Sequence, residues 1–267
     1  MKLKNRKLDA ISSRLLCVLL VLVALTLITV IIFAFKGPRG EVLKTPERIE
    51  NIEISSSSVT LQKTADYGQN YIDSITFLGD RTVKGLLDFE LLSGGAASYQ
   101  VWTGEGGDIA LDSNIQNISV LFPDSGEVIK LSDALSRRTP KYLVITLGIS
   151  NGVPYCDKNK FCAYYQSFID KVRESAPSAS IMIQSILPVS KKAEKQNPAI
   201  SNERIDRANE WLVEICQNNN LKFLYTADAL KDDNGRLAAD FVTDDGLSMN
   251  DDGYRQMLRY IRMHGYN

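Results

Sequence analysis

The feature that most constrains the fold of this chain is a regular alternation of short apolar segments with amphipathic segments after residue 66. The apolar segments are rich in β-branched and aromatic residues, which is typical of strands buried on both faces of a sheet. Strands that alternate with helices are joined by right-handed crossovers. The pattern therefore predicts an α/β fold with a parallel sheet of about five strands between two layers of helices. Strands are predicted at 74–79, 98–102, 142–148, 181–187 and 222–226, and helices at about 82–92, 131–138, 161–175 and 202–218, with a last helix after the Asn-Asp-Asp cap at 250–252.

Residues 112–130 interrupt this alternation and contain the turn sequence PDSGE. A turn of this kind between short apolar segments is typical of a β-hairpin. We expect a small hairpin inserted before the third strand of the sheet.

An uncharged run of 21 residues, from Leu15 to Phe35, precedes the alternating region. At about 1.5 Å per residue, a helix of this length spans a hydrocarbon core of roughly 30 Å. Positive charge before such a run holds the N-terminus in the cytoplasm. We therefore expect a cytoplasmic basic tail at 1–14, a transmembrane helix at 15–35, and an extracellular remainder held at the cell membrane. The basic residues of the tail are Lys2, Lys4, Arg6, Lys7 and Arg14.

The competing interpretation of the run is a cleaved signal peptide. The run is longer than a signal-peptide core of about 7–15 residues, and no small-x-small cleavage site precedes the FKGPRG junction, so an anchor is favoured. Residues 36–65 contain two prolines, a run of four serines and mixed charge, which indicates an extracellular linker. Residues 66–267 are long enough for one domain with its own core.

The net charge of the chain is −1, which gives no indication of a nucleic-acid partner. Cys156 and Cys162 flank a polar loop on the predicted oxidising side of the membrane. Two alternatives stay open for them: a local disulfide or two unrelated thiols. A zinc site is not expected, because the chain has one histidine and no CxxC pair. No metal and no cofactor are predicted.

Ligands of parallel α/β sheets bind at the carboxyl ends of the strands, so function is sought in the residues that follow each strand. Five motifs stand there, in the order GDRT, WTGEGG, GISNG, SILPV and DDGLSMNDDGY. Together they resemble the motif blocks of the SGNH/GDSL-type hydrolases, over nearly all of residues 70–267. The resemblance implies a flavodoxin-like three-layer α/β/α sandwich at 66–267, and an acyl-ester or carbohydrate ligand.

The resemblance also implies three catalytic positions, of which two are replaced. Arg81 stands at the nucleophile position, where the family has a serine, and Ser248 stands at the position of the base, where it has a histidine. Asp245, the acid that orients the base, is retained. Thr82 has a hydroxyl beside this position but no base to activate it, so a role at the start of a helix is expected. The only histidine, His264, lies 16 residues beyond Ser248 and is expected at the surface or the C-terminal cap of the last helix.

An arginine at the start of a helix is disfavoured by the helix dipole, by about 0.3–1 kcal/mol, and calls for a compensating partner. We expect the Arg81 guanidinium to bind the carboxylate of Asp245 or Asp80, because a bidentate arginine satisfies a carboxylate in a semi-enclosed site. The alternative is an arginine whose side chain extends into solvent.

The resemblance implies that part of the oxyanion site is kept. Asn151 in GISNG matches the asparagine of the family, and Ser150 is the alternative because this loop has one extra residue. Gly106 or Gly107 would supply a backbone N–H.

A retained pocket would add aromatic neighbours to these donors. Trp102 and Tyr99 are candidates to contact a ligand, and packing under a loop is the alternative for Trp102. Asp80 is a further candidate at the rim. Donors, an arginine and aromatic rings suit an anionic or sugar-like ligand.

Three functional hypotheses follow. The favoured one is a membrane-anchored extracellular domain that has lost ester hydrolysis and acts as a binding or scaffolding module at the cell envelope. The second is an active acyl or acetyl esterase on cell-surface carbohydrate with a non-standard nucleophile. The third is acid/base chemistry by Asp80 and Asp245, which requires two carboxyl groups with separated pKa values in one cleft.

Overall fold

The computed structural model describes residues 53–267, and the predicted transmembrane helix lies outside them. Within residues 53–267, no helix has the length and apolar character needed to cross a bilayer. The membrane anchor and the cytoplasmic tail therefore stay predictions.

Seven strands are present in the described part of the chain. They are β1 (Ile75–Gly79), β2 (Val101–Trp102), β3 (Ser119–Phe122), β4 (Glu127–Lys130), β5 (Tyr142–Thr146), β6 (Ser180–Gln184) and β7 (Lys222–Leu224). Five of them form one parallel sheet in the order β2-β1-β5-β6-β7. Counted among the parallel strands alone this is the order 2-1-3-4-5 of flavodoxin-like folds, which reverses between β1 and β5. The predicted α/β architecture with about five parallel strands is confirmed.

The predicted hairpin is also confirmed. β3 and β4 pair antiparallel as a separate ribbon before β5. Its turn is the PDSGE segment, where the amide of Gly126 donates to the carbonyl of Phe122 at 2.8 Å.

Helices cover both faces of the sheet, as a three-layer sandwich requires. They are α1 (Gln69–Asp73), α2 (Arg81–Asp88), α3 (Leu131–Arg137), α4 (Gly152–Tyr155), α5 (Lys158–Ser175), α6 (Lys191–Gln196), α7 (Asn202–Asn219) and α8 (Asp251–Arg262). Alternate strand residues enter two separate apolar clusters, because successive side chains of a strand point to opposite faces. Leu143 and Ile145 pack on one face with buried residues of α3, α5 and α7, and Val144 packs on the other face with α1, α2 and α8.

Capping side chains set the helix boundaries where these differ from the predicted ones. α5 begins at Lys158, three residues before the predicted start, because Asp157 accepts a hydrogen bond from the amide of Lys160 at 2.9 Å. The last helix follows Asn250 as predicted, and the Asn250 side chain accepts from the amide of Gly253 at 3.0 Å.

The end of the predicted linker differs from the expectation. Residues 53–65 pack onto the domain, because Leu61 is buried and its amide donates to the carbonyl of Phe223 in β7 at 2.8 Å. Thr60 forms an isolated parallel bridge with Phe223. This segment therefore covers the free edge of β7, which would otherwise expose unpaired backbone groups.

The packing of α2 against α8 generates a stability prediction. Gly85 in α2 lies against the Tyr254 ring of α8, so closely that a Cβ at Gly85 would overlap the ring. Gly85→Ala should lower the free energy of unfolding by about 1–3 kcal/mol, despite the better helix propensity of alanine. Chemical denaturation measures the change, and Gly106→Ala is the matched control because a Cβ there meets nothing within 4 Å. A Gly85→Ala variant as stable as the parent protein would contradict this packing.

Candidate functional site

A cleft of about 420 Å³ opens at the carboxyl ends of the strands. It lies where the strand order reverses between β1 and β5, which is the usual ligand position in such sheets. The motifs that follow β1, β5 and β6 meet here with the loop before α8. Residues that line the cleft include Arg81, Thr82, Ile149, Leu187, Ser248 and Tyr254. The nucleophile and base positions predicted from sequence are therefore brought into one cleft.

Asp80 fixes the geometry of this edge. Its carboxylate is 1% exposed, caps α2 by accepting from the amide of Thr82 at 3.0 Å, and accepts from the amide of Ile149 at 3.2 Å. Burial raises the pKa of Asp80 to about 6, and the hydrogen bonds from Thr82 partly offset that rise. Both Asp80 oxygens accept from backbone amides, and Asp80 is not among the residues that line the cleft, so its predicted contact with a ligand stays a prediction. Thr82 lies in the first turn of α2, as expected.

Arg81 is exposed at the first position of α2. The prediction that it pairs with Asp80 or Asp245 is wrong: within residues 53–267, its guanidinium takes part in no hydrogen bond and no ion pair. The two carboxylates already have other donors, so neither requires the arginine. The alternative interpretation, a side chain extending into solvent, describes the structure.

Asp245 is satisfied within its own loop. One carboxylate oxygen accepts from the Thr243 hydroxyl at 2.6 Å and from the amide of Leu247 at 2.8 Å. These two hydrogen bonds hold the pKa of Asp245 below its usual value. Asp245 is exposed and Asp80 is buried, and neither is among the residues that line the cleft, so the hypothesis that these two carboxyl groups act as an acid/base pair stays a prediction.

Ser248 reaches the cleft from the same loop. Its carbonyl accepts from the amide of Thr243 at 3.0 Å, and its own amide donates to the Thr243 hydroxyl at 3.2 Å. The side chain is exposed and lines the cleft with Arg81. The base position is thus held by a hydroxyl, which is too weak a base to take up a proton at neutral pH.

Asp108 is a site residue that the sequence reasoning missed. One of its carboxylate oxygens accepts from the backbone amide of Arg81 at 2.9 Å, and the other accepts from the Ser150 hydroxyl at 2.9 Å. An anion therefore already occupies a backbone donor at the start of α2. The available signal was an acidic residue directly after Gly107 in the glycine-rich motif, because a flexible turn can bring such a residue to a helix N-terminus.

Of the two alternatives for the oxyanion donor, Ser150 has the side chain that joins this network. Asn151 has φ 66° and caps α4 with its backbone, where its carbonyl accepts from the amide of Tyr155 at 3.2 Å. Within the described residues, the Asn151 side chain makes no hydrogen bond. Its predicted role as an oxyanion donor therefore remains without a contact that supports it.

The two glycines predicted as donors differ in their availability. The amide of Gly107 donates to the carbonyl of Gly104 at 2.8 Å in a turn where φ of Gly107 is +76°. Gly107 is therefore not free to bind a ligand through its N–H. Gly106 lies exposed in the same turn, and its amide donates no hydrogen bond within residues 53–267.

Trp102 is a core residue and not a ligand contact. Its side chain is 0% exposed, packs edge-on against Phe122 with ring centroids 5.6 Å apart, and donates from Nε1 to the carbonyl of Tyr99 at 3.0 Å. The packing alternative is therefore correct. Tyr99 is exposed, and the guanidinium of Arg138 lies 4.4 Å from its ring centroid.

His264 lies at the C-terminal end of α8, as expected for a capping residue. Its Nδ1 is 2.8 Å from the carbonyl of Tyr260, on whose ring it stacks. It lines a different hollow from the one that holds Arg81. Cys156 and Cys162 are free thiols in the structure, which corresponds to the second of the two alternatives.

Comparisons with known proteins agree with this architecture. The model of the GDSL-like lipase/acylhydrolase family matches residues 73–256. A Streptococcus pneumonia structure described as a candidate platelet activating factor is 20% identical, with a TM-score of 0.51, and the match covers 70% of this chain and 81% of that one. At this identity, the likeness supports the fold alone.

Two further structures are similar. A candidate acylhydrolase from Bacteroides fragilis NCTC 9343 is 16% identical over 74% of this chain and 86% of its own, with a TM-score of 0.48. A family 3 carbohydrate esterase from Talaromyces cellulolyticus is 15% identical over 70% of this chain and 92% of its own, with a TM-score of 0.46. The comparison with curated proteins gives no match.

The raised pKa of Asp80 predicts a pH dependence of stability. The folded state binds the proton more tightly than the unfolded state, with a pKa of about 6 against 3.8, so this group stabilises the fold at low pH and loses that contribution as the pH rises from about 4 to 6. The loss amounts to about 3 kcal/mol at most. Asp80→Asn should remove this component from the pH profile of the unfolding free energy, measured by urea denaturation. The exposed Asp133→Asn is the control, and an unchanged profile in Asp80→Asn would contradict the assignment.

Proposed function

The chain belongs to the GDSL-like lipase/acylhydrolase family, and on that premise we propose that it binds an acyl-ester or carbohydrate ligand without hydrolysing it. The observation that carries this proposal is the exposed Arg81 at the start of α2, beside Ser248 in the same cleft. A guanidinium is protonated at all physiological pH values, so it has no lone pair with which to attack a carbonyl.

Hydrolysis of an ester by a serine-type mechanism also requires a base within about 2.6–3.2 Å of the nucleophile. Ser248 cannot accept the proton, and the only histidine of the chain caps the far end of α8. Loss of the nucleophile or the base alone removes about 10⁶-fold of kcat in a well-studied serine hydrolase. Here the family's nucleophile and base positions, Arg81 and Ser248, both lack a suitable residue.

The network around Asp108 provides a second, independent reason. An acyl-transfer oxyanion is stabilised by preorganised N–H groups that point at the developing charge. The amide of Arg81 donates to Asp108 instead, and the Ser150 hydroxyl donates to the other oxygen of the same carboxylate. A developing oxyanion near these donors would meet a negative charge, which destabilises the transition state.

The cleft has the properties of a binding site. Its volume of about 420 Å³ lies within the usual range of roughly 300–1,000 Å³ for small-molecule pockets. Leu187, Pro188 and Leu247 provide apolar wall, and the Arg81 guanidinium provides a charge for an acyl oxygen or an anionic group. The predicted helix at 15–35 would hold this domain at the outer face of the cell membrane, where surface carbohydrate is the accessible ligand.

One observation favours the second candidate function, an esterase with a non-standard nucleophile. The Ser150 hydroxyl donates to Asp108 at 2.9 Å, which is the arrangement of a nucleophile and a base. A carboxylate is a weaker base for a serine hydroxyl than a histidine imidazole, so this pair is the less effective arrangement. It requires a test nonetheless.

Restoring the missing groups tests the proposal. The full-length chain should hydrolyse p-nitrophenyl acetate at the uncatalysed rate, whereas Arg81→Ser combined with Ser248→His should hydrolyse it measurably faster. Addition of Asp108→Ala should raise the rate again, by about 10²-fold, because it frees the backbone donor at position 81. Release of p-nitrophenol is followed by absorbance.

Two controls accompany this measurement. Ser248→His alone should stay inactive, because it lacks a nucleophile. Turnover by the unmodified chain that disappears in Ser150→Ala would favour the esterase and reject the proposed non-hydrolytic role.

A further inference from the structure

A second hollow, of about 470 Å³, lies among α4, the start of α5 and α7. It shares no lining residue with the cleft that holds Arg81. Its walls include Tyr155, Cys156, Lys158, Arg204, Arg207 and Trp211. We propose that this hollow binds a neutral saccharide unit.

Tyr155 is the first reason. Its side chain is 76% exposed, against 45% for Tyr67, the next most exposed large apolar residue of the described chain. An aromatic ring left in water gains stability when a ligand covers it, because apolar surface is removed from solvent. A pyranose ring suits such a surface, since one of its faces carries C–H groups while its rim carries hydroxyl groups.

The segment that presents Tyr155 is held rigidly. The Arg204 guanidinium donates to the carbonyl of Val153 at 3.2 and 2.8 Å and to the carbonyl of Pro154 at 3.3 Å. On the other side, Asp157 caps α5. Binding at a preorganised site loses little conformational entropy, so a weakly attractive ligand such as a sugar can still be retained.

The charges around the hollow favour a neutral ligand over an anionic one. Lys158 is paired with Glu214 at 2.7 Å. Arg207 is paired with Glu203 at 3.0 Å. The guanidinium of Arg204 is occupied by the two carbonyl groups. No lining cation is therefore left without an acceptor, and an added anion would compete with carboxylates already in place.

Polar groups suited to hydroxyls remain at the same place. Trp211 is half-buried, with its ring edge-on to Phe161 at a centroid distance of 5.4 Å. Within residues 53–267, the Trp211 indole N–H and the Tyr155 hydroxyl have no hydrogen-bond partner. Both are free to pair with sugar hydroxyls, and two aromatic side chains with a few polar groups are the usual composition of a small-molecule site.

The test is isothermal titration calorimetry on the full-length chain in a detergent without a sugar headgroup, such as lauryldimethylamine oxide. The neutral probes are maltohexaose, cellohexaose and hexa-N-acetylchitohexaose, and the anionic comparison is hexagalacturonate. At least one neutral probe should bind. Tyr155→Ala should weaken that binding by about tenfold or more, and Tyr155→Phe by about threefold or less, because the ring is kept.

Two control variants give the result its specificity. Tyr99→Ala removes another exposed tyrosine, 43% accessible, that does not line the hollow, and should leave binding unchanged. Arg81→Ala removes the cation of the other cleft, so it separates any saccharide bound there from the one bound against Tyr155.

Three results would overturn the inference: no binding by any neutral probe, binding by hexagalacturonate alone, or an affinity that is unaffected by Tyr155→Ala. If Arg81→Ala abolishes saccharide binding and Tyr155→Ala leaves it intact, the saccharide binds in the cleft lined by Arg81 and not in this hollow. That last result would reject this hollow while leaving the proposed function intact.

Discussion

The carboxylate of Asp80 is the interaction on which the geometry of the site depends. It joins the start of α2 to the loop after β5, by accepting from the amides of Thr82 and Ile149. Gly79 makes this junction possible, because any side chain there would overlap the carbonyl of Thr146 in the neighbouring strand. A buried carboxylate is costly, as its raised pKa shows, and it is tolerated because its oxygens have donors on both sides. The edge of the sheet therefore keeps its shape independently of the residue at position 81.

The same helix terminus explains how an arginine is accommodated at its first position. A cation there is disfavoured by the helix dipole. The compensation expected from sequence was an ion pair of the Arg81 guanidinium with Asp245 or Asp80, but in the structure carboxylates compensate the helix terminus by accepting from its backbone amides. Asp80 and Asp108 both accept from amides of the first turn, so two carboxylates face the positive end of α2. The guanidinium is then left exposed to solvent, with no need for a partner of its own.

The sequence predicted the fold well because the signals that determine it are local. The buried strands correspond to short apolar runs of the sequence. The PDSGE turn predicts the hairpin, and the capping residue Asn250 predicts the start of the last helix. The motif positions also brought Arg81 and Ser248 into one cleft. Side-chain partners were harder to predict. Asp245 bonds to Thr243, two residues away, and such local turns compete with long-range pairing.

Two other differences have the same kind of cause. Asp108 bonds to Arg81 across 27 residues of sequence, and nothing in a glycine-rich loop fixes where the following carboxylate points. Trp102 was ambiguous because an aromatic residue at the end of an edge strand packs equally well under a loop or against a ligand. The hairpin decides between these, since Phe122 of β3 covers the indole ring. The position of the hairpin relative to the sheet depends on tertiary packing, which the hydrophobic periodicity of the sequence does not encode.

If hydrolysis is lost, as proposed, the cleft has to be complementary to the bound ligand in its ground state and no longer to a transition state. A hydrolase gains rate only from interactions that are stronger in the transition state than in the ground state, whereas a binding protein gains from ground-state contacts. Asp108 occupies a donor that would otherwise be free for an oxyanion, and Arg81 places a permanent charge where a transient bond would form. Under the proposed function, both features would weaken transition-state stabilisation, while Leu187, Pro188 and Leu247 would still line the cleft. A protein that needs only ground-state contacts could therefore keep the same pocket. The hydrogen bonds of Asp80 and the parallel sheet hold the shape of the pocket, and the residues at the nucleophile and base positions do not.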